Sequence, residues 1–148
     1  MSNQHNIVDI SIDFNKYIKK FIFIIEKSMT NTDQVDYFNK LRRKIEMVIE
    51  HEPLLILKNG GPYIYDFREE IFNNDINRLL NECDIDNVSE YIVNEVKDEN
   101  MNQSDEIKNL IKCLRTVWFN YNELEKKTII KLLKRIISEY SKYLLINT

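Results

Sequence analysis

Apolar residues recur along most of this chain at the three- and four-residue spacing of amphipathic helices. The first segment is the exception. Val8, Ile10, Ile12 and Phe14 alternate with polar residues, which is the two-residue period of a strand. From Asp13 the period lengthens: Phe14, Tyr17, Ile18, Phe21, Ile22, Ile25 and Met29 fall on one helical face, with Ser11 or Asp13 placed to cap it. Phe23 and Ile24 widen that face until it nearly encircles the helix, which predicts a central position for residues 14–29. Residues 1–10 are expected to be frayed or loosely attached.

A second helix is expected from about Thr32 to His51, with Val35, Phe38, Leu41, Ile45, Val48 and Ile49 as its apolar stripe. Asn31 and Gln34 have the spacing of a capping box at its start. Pro53 cannot continue this helix and is suited to open a short one, Pro53–Lys58. Gly60 or Gly61 would close that helix in a left-handed conformation, and Pro62 would open another through Phe72. Both glycines and one of the two prolines therefore fall in the stretch 54–72, and together with Pro53 just ahead of it, Gly60, Gly61 and Pro62 predict a sharp corner.

A short helix carrying Ile76, Leu79 and Leu80 should follow the polar triplet Asn73–Asn74–Asp75. Asn87 and Glu90 have capping-box spacing ahead of Val88, Tyr91, Ile92 and Val96. Ser104 precedes the cleanest stripe of the chain, Ile107, Leu110, Ile111, Leu114, Val117, Trp118 and Tyr121. Asn122 and Glu125 then start the last helix, with Leu124, Ile129, Leu132, Leu133, Ile136, Ile137, Tyr140 and Leu144 as its apolar positions. The connection between these two helices is short enough to predict a C-terminal antiparallel hairpin. The expectation is an all-α single domain, residues 1–148, of six to seven helices.

Composition adjusts this picture in two ways. With 43% hydrophobic and 30% charged residues, the chain belongs with globular rather than disordered proteins. It has no alanine, two glycines and two prolines, but abundant Ile, Asn and Lys, as codons of an AT-rich genome would dictate. Its core must therefore be built from Ile, Leu, Phe and Tyr. Cys83 and Cys113 are too few for a disulfide framework and are expected to be reduced. No signal-peptide pattern opens the sequence, and the run Phe21–Met29 is far shorter than the ~20 apolar residues a bilayer requires. A soluble intracellular protein with no membrane partner is expected.

Candidate chemistry is sparse. His5 lies near the chain start, and His51, beside Glu52, suits a helix C-terminus better than a metal site. The Gly60–Gly61–Pro62 stretch lacks the lysine of a phosphate-binding loop, and Pro62 removes one amide donor. Asp66, Glu69 and Glu70 bring carboxylates together on one short helix, but Arg68 among them favours a solvated face with an ion pair. No nucleophile motif, metal-ligand spacing or cofactor fingerprint occurs, so no catalytic residue, metal or cofactor is expected.

Charge is the best partner signal. Residues 82–106 hold nine acidic residues and one lysine, whereas residues 108–148 hold nine basic residues and three glutamates. A second basic cluster lies at Lys40, Arg42, Arg43 and Lys44. With Lys126, Lys127, Lys131, Lys134 and Arg135 it makes up the candidate interaction residues. Their partner is expected to be a protein or a second copy of the chain, the acidic and basic segments meeting within or between chains. Nucleic acid is the lesser alternative, because the net charge of −3 opposes long-range attraction of phosphate.

Three stretches carry a resemblance: YFNKLRRK, GGPYIYDFREEI and IKCLRTVWFNYNELEKKTIIKLLKRI. Over residues 37–143 the chain resembles short helical proteins of large nucleocytoplasmic DNA viruses, mimivirus-like and algal viruses among them. Gly61, Pro62, Tyr63, Arg68 and Glu69 match a Gly-Pro-Tyr turn leading into a Tyr-Arg-Glu helix. Trp118 matches a later Lys-x-x-Trp segment, with Arg115 in place of the lysine. The resemblance implies a viral origin and no activity; with the abundant aromatics and the opposed acidic and basic segments, the expectation is a non-enzymatic viral structural or accessory protein acting through protein contacts in the host cytoplasm or the virion. A Bcl-2-like modulator of host apoptosis is the alternative, in which one apolar helix is wrapped by others. A nucleic-acid-associated virion or factory protein is the second alternative.

Overall fold

The computed structural model describes residues 3–30, 32–81 and 106–146. Among the described residues the regular structure is entirely helical: α1 (Asn3–Lys27), α2 (Thr32–His51), α3 (Leu55–Tyr65), α4 (Arg68–Phe72), α5 (Asn77–Asn81), α6 (Glu106–Val117) and α7 (Glu123–Ile146). A single 3-10 turn, Trp118–Asn120, joins the last two. The expected all-α class is what is found. The helix expected around Asn87–Val96 and the cap at Ser104 lie outside the described residues, as do Asn31 and Cys83.

The long axis of the fold is the pair α1 and α7, which pack along most of their length. They run antiparallel: Tyr17 meets Arg135 near the middle of both helices, and towards the C-terminal end of α1 the Ile24 carbonyl accepts a hydrogen bond from the Tyr121 hydroxyl, just ahead of α7. Phe14, Ile18, Phe21 and Ile25 of α1 are buried together with Ile129, Leu133, Ile136 and Ile137 of α7 in one core. Each fully buried side chain of this size contributes about 1.5–3 kcal/mol relative to exposure. Every described helix supplies at least one residue to that core, from Phe38 and Ile45 of α2 to Ile71 of α4 and Leu79 of α5. The stripe of α6 is buried as its spacing predicts, including Trp118 and Tyr121 beyond the helix end.

Two boundaries differ from the sequence pattern. The alternation of Val8, Ile10, Ile12 and Phe14 is helical rather than strand-like, because α1 already begins at Asn3. Ile10 and Phe14, four residues apart, are buried, whereas Val8 and Ile12 are 46% and 59% exposed. Ser11 and Asp13 consequently sit inside the helix, where the Ser11 hydroxyl donates to the Val8 carbonyl at 2.7 Å instead of capping. At the other end of the chain, Leu124 is 74% exposed and leaves the apolar stripe of α7, which starts at Ile129. The Asn122–Glu125 capping box does form: each residue's side chain accepts the other's backbone N–H, at 2.9 and 2.8 Å.

The expected corner is not where the glycines are. Pro53 lies in the short turn between α2 and α3, but Gly60, Gly61 and Pro62 all lie within α3. Neither glycine has a positive φ. Their function is close approach: a Cβ on Gly60 would fall 2.5 Å from Cδ1 of Ile107 on α6, and one on Gly61 would run into the Tyr140 ring on α7. Adjacent residues on a helix point about 100° apart, so the two glycines let α3 wedge between α6 and α7. Pro62 is exposed, as is Lys58, whose carbonyl loses its ladder donor to the proline and has water available instead. The reversal occurs later. α3 ends at Tyr65, α4 follows from Arg68, and Asn74 takes a left-handed φ of 62° before α5. The chief packing partner of α6 is α3 and that of α7 is α1, so the two C-terminal helices do not bury their main faces on each other.

Candidate functional site

The sequence-derived basic residues divide once they are placed on the fold. On α2, Arg42 donates to Glu26 of α1 at 3.0 Å and lies 3.8 Å from Glu46, so it ties two helices together. Lys44 turns inward toward Glu106, the first residue of α6, which is only 2% exposed. The Nζ–Oε1 separation of 3.4 Å makes this a buried charge pair rather than a well-formed hydrogen bond. Lys40 and Arg43 remain exposed on the opposite side of α2. The cluster Lys40–Lys44 is therefore half structural. Glu106 is the described member of the acidic run, and it meets α2 rather than the basic C-terminal helix; the rest of that run lies outside the described residues.

On α7, Lys126 packs over the Trp118 ring at 5.3 Å and pairs loosely with Glu123 at 3.9 Å. Lys134 donates to the Asn74 side chain at 2.7 Å, securing the turn between α4 and α5. Lys127 is exposed. Lys131 and Arg135, one helical turn apart, behave differently: they flank a groove between α7 and α1.

This groove has a volume of about 480 Å³ and is open along one side. Its walls are predominantly apolar, from Tyr17 and Ile24 of α1 and Leu132 of α7, with Phe23 at its edge. Lys19 and Lys20 stand on the α1 side, opposite Lys131 and Arg135. None of these four cations forms an ion pair among the described residues. Among the described residues no carboxylate lines the groove. Two of the cations, Lys20 and Arg135, lie instead against the Tyr17 ring. The Arg135 guanidinium lies 5.6 Å from the Tyr17 ring centre and donates to its hydroxyl at 3.3 Å, while Lys20 and Lys16 approach the same ring at 5.9 and 6.0 Å. Lys27 lies 4.3 Å from the Phe23 ring centre.

The sequence carried a signal for the α1 half of this site. By the 3.6-residue period, Val8, Ile12, Lys16, Lys19, Phe23 and Lys27 share one side of α1, and all six are exposed. Phe23 is 57% exposed, so α1 is not encircled as its wide apolar face predicts. That face is divided between the core and a solvent-facing strip in which aromatic, aliphatic and lysine side chains alternate.

Elsewhere the groups with catalytic potential are engaged structurally. Cys113 is free and buried, and the loss of water around its thiol pushes the pKa up to about 12, so it stays neutral and unreactive near pH 7. Glu70 is held below the usual carboxylate range by the Arg78 guanidinium, which donates to it at 2.7 Å. Arg68, expected as the ion-pair partner within that helix, instead stacks 4.3 Å from the Tyr65 ring centre. Burial pushes the Tyr121 phenol up while its hydroxyl closes the end of α1 at Ile24. Among the described residues no three His, Cys, Asp or Glu side chains converge as a metal site would require, and no helix is long and apolar enough to cross a membrane. Comparison with protein-family models, curated proteins and solved structures finds no match to this chain.

Proposed function

We propose that this chain is a non-enzymatic accessory protein that acts by binding another protein through the groove between α1 and α7. The observation carrying this reading is the groove itself, an apolar trough of about 480 Å³ flanked by four cations that form no ion pair among the described residues. A chain builds such a surface at a cost, because like charges around a low-dielectric floor repel one another and exposed Phe23 gains nothing from water. A partner bringing apolar groups and carboxylates relieves both terms. The viral resemblance fits an accessory role of this kind in an infected cell or a virion, and is the basis for that setting.

The test is a photo-crosslinking amino acid placed at Phe23, with the same group at exposed Lys58 on α3 as the control. In lysate of the source cells the Phe23 position should yield a discrete protein adduct and the Lys58 position none. Adducts to nucleic acid in place of protein, or equal adducts from both positions, would refute the assignment.

A further inference from the structure

From the chemistry of the two rims, we infer that the occupant of the α1/α7 groove is an acidic amphipathic helix supplied by a partner protein, an inference that rests on the groove being a protein contact. The lining is aliphatic as well as aromatic, with Ile24 supplied by one helix and Leu132 by the other. Two antiparallel helices with an apolar seam between them offer a seat for a third helix, whose apolar stripe lies down into the seam. Lys131 and Arg135 are four residues apart, so their α-carbons are separated by about 6 Å along α7. That is also the rise between carboxylates at i and i+4 of a helix laid alongside. Lys19 and Lys20 stand on the other rim, so the occupant should carry carboxylates on both flanks of its apolar stripe, as charged positions flank a coiled-coil seam.

The aromatic rings argue against nucleic acid at the same place. Single-stranded nucleic acid is held by bases stacking on free ring faces beside a cationic track. Here Tyr17 is surrounded by Lys16, Lys20 and Arg135, and Phe23 carries Lys27 at 4.3 Å from its centre. A base would have to displace those cations before stacking. A single anionic headgroup is a poorer match as well, because it would engage one rim and leave the other two cations uncompensated.

The probe is a labelled synthetic peptide of ~18 residues, long enough for about five turns, with Leu along one face and Glu on both flanks. Fluorescence anisotropy should show saturable binding that weakens as salt is raised from about 50 to about 300 mM, since exposed charge pairs are screened over this range. Three comparison ligands are a charge-reversed peptide with Lys for Glu, a sequence-scrambled peptide of the same composition, and oligothymidylate. Each should bind at least about tenfold more weakly. The double variant Lys131→Glu/Arg135→Glu should lose at least about tenfold in affinity, and the charge-matched variant Lys40→Glu/Lys58→Glu, outside the groove, should not. All four positions are exposed, so folding, checked by circular dichroism, should be retained. Equal binding of the scrambled peptide, tighter binding of oligothymidylate, equal effects of the two double variants, or no binding of the acidic peptide would each overturn the inference. If the peptide fails while crosslinking at Phe23 still captures protein, the acidic helix alone is wrong; if both fail, the contact-face reading falls with it.

Discussion

Replacing Gly61 with alanine tests the packing at the centre of this fold. In an unencumbered helix the change should stabilise the protein by about 0.5–1 kcal/mol, because alanine loses less backbone freedom on folding. Here the new Cβ would overlap Cδ1 and Cε1 of Tyr140 and approach its Cγ to 2.8 Å. Because Cγ itself is in the way, swinging the ring about χ2 does not clear the space. The side chain must turn about χ1 or α3 must back away from α7. Tyr140 is only 7% exposed and its ring packs edge-on against Tyr65 at 5.5 Å and beside Tyr143 at 6.0 Å, so turning it disturbs both neighbours. Overpacking of this kind typically costs about 1–3 kcal/mol. The net expectation for Gly61→Ala is a loss of about 1–2 kcal/mol, read as a lower urea midpoint or a melting temperature lower by about 3–6 °C.

The decisive comparison is the same substitution in a Tyr140→Ala background. There the obstruction is gone and Gly61→Ala should turn stabilising, by about 0.5–1 kcal/mol. Tyr140→Ala itself should cost about 3–5 kcal/mol, so both members of that pair are best measured with a stabilising osmolyte present. If the glycine were needed for a left-handed backbone, the penalty would persist whatever stood at position 140. Stabilisation by Gly61→Ala with Tyr140 intact, or a penalty unchanged in the Tyr140→Ala background, would refute the close-approach argument.

Two further outcomes are expected. Lys44→Ala should lower stability by about 3 kcal/mol because it removes the cation paired with the buried Glu106 carboxylate, and Lys44→Met combined with Glu106→Leu should recover most of the loss; urea titrations of the single and double variants decide it. Alkali should destabilise the protein through Cys113. The unfolded thiol ionises at about 9 while the folded one stays neutral to about 12, so stability is complete below pH 9 and falls by about 1.4 kcal/mol per unit between them. Cys113→Ala should flatten the pH dependence of the urea midpoint over that range by one proton's worth, and an unaltered slope would show that the thiol is not protected.

Much of the chain's organisation was legible in the order of its residues. The 3.6-residue spacing of Ile107, Leu110, Ile111, Leu114 and Val117 determined both the helix and its buried face, because a helix with one apolar side has one stable way to lie on a core. The Asn122–Glu125 box marked the start of α7, since both partners lie within one turn and the bonds are local. Where competing signals were local, they misled. Alternation at Val8–Phe14 suggested a strand, but burial of Ile10 and Phe14 on one side of α1 was enough to make it helical. The pair Gly60–Gly61 suggested a turn, because glycine permits both a left-handed backbone and a close contact, and only the neighbour distinguishes the two. That neighbour is Ile107 for one glycine and Tyr140 for the other, 47 and 79 residues away along the chain.

The candidate site shows the same division. Sequence identified Lys131 and Arg135 as members of a basic helix, with no means of separating them from Lys134, which closes a turn, or Lys126, which covers a tryptophan. Nor did it join them to Lys19 and Lys20, more than a hundred residues earlier. Charge along a chain is a property of composition, whereas a groove is a property of two helices meeting. The sequence by itself determined that the chain would fold as amphipathic helices and where most of them would lie, because those interactions act within a few residues. Which cations are neutralised internally and which are left facing a shared apolar trough was decided only when α1 and α7 packed antiparallel, because that pairing sets which side chains from distant segments share one surface.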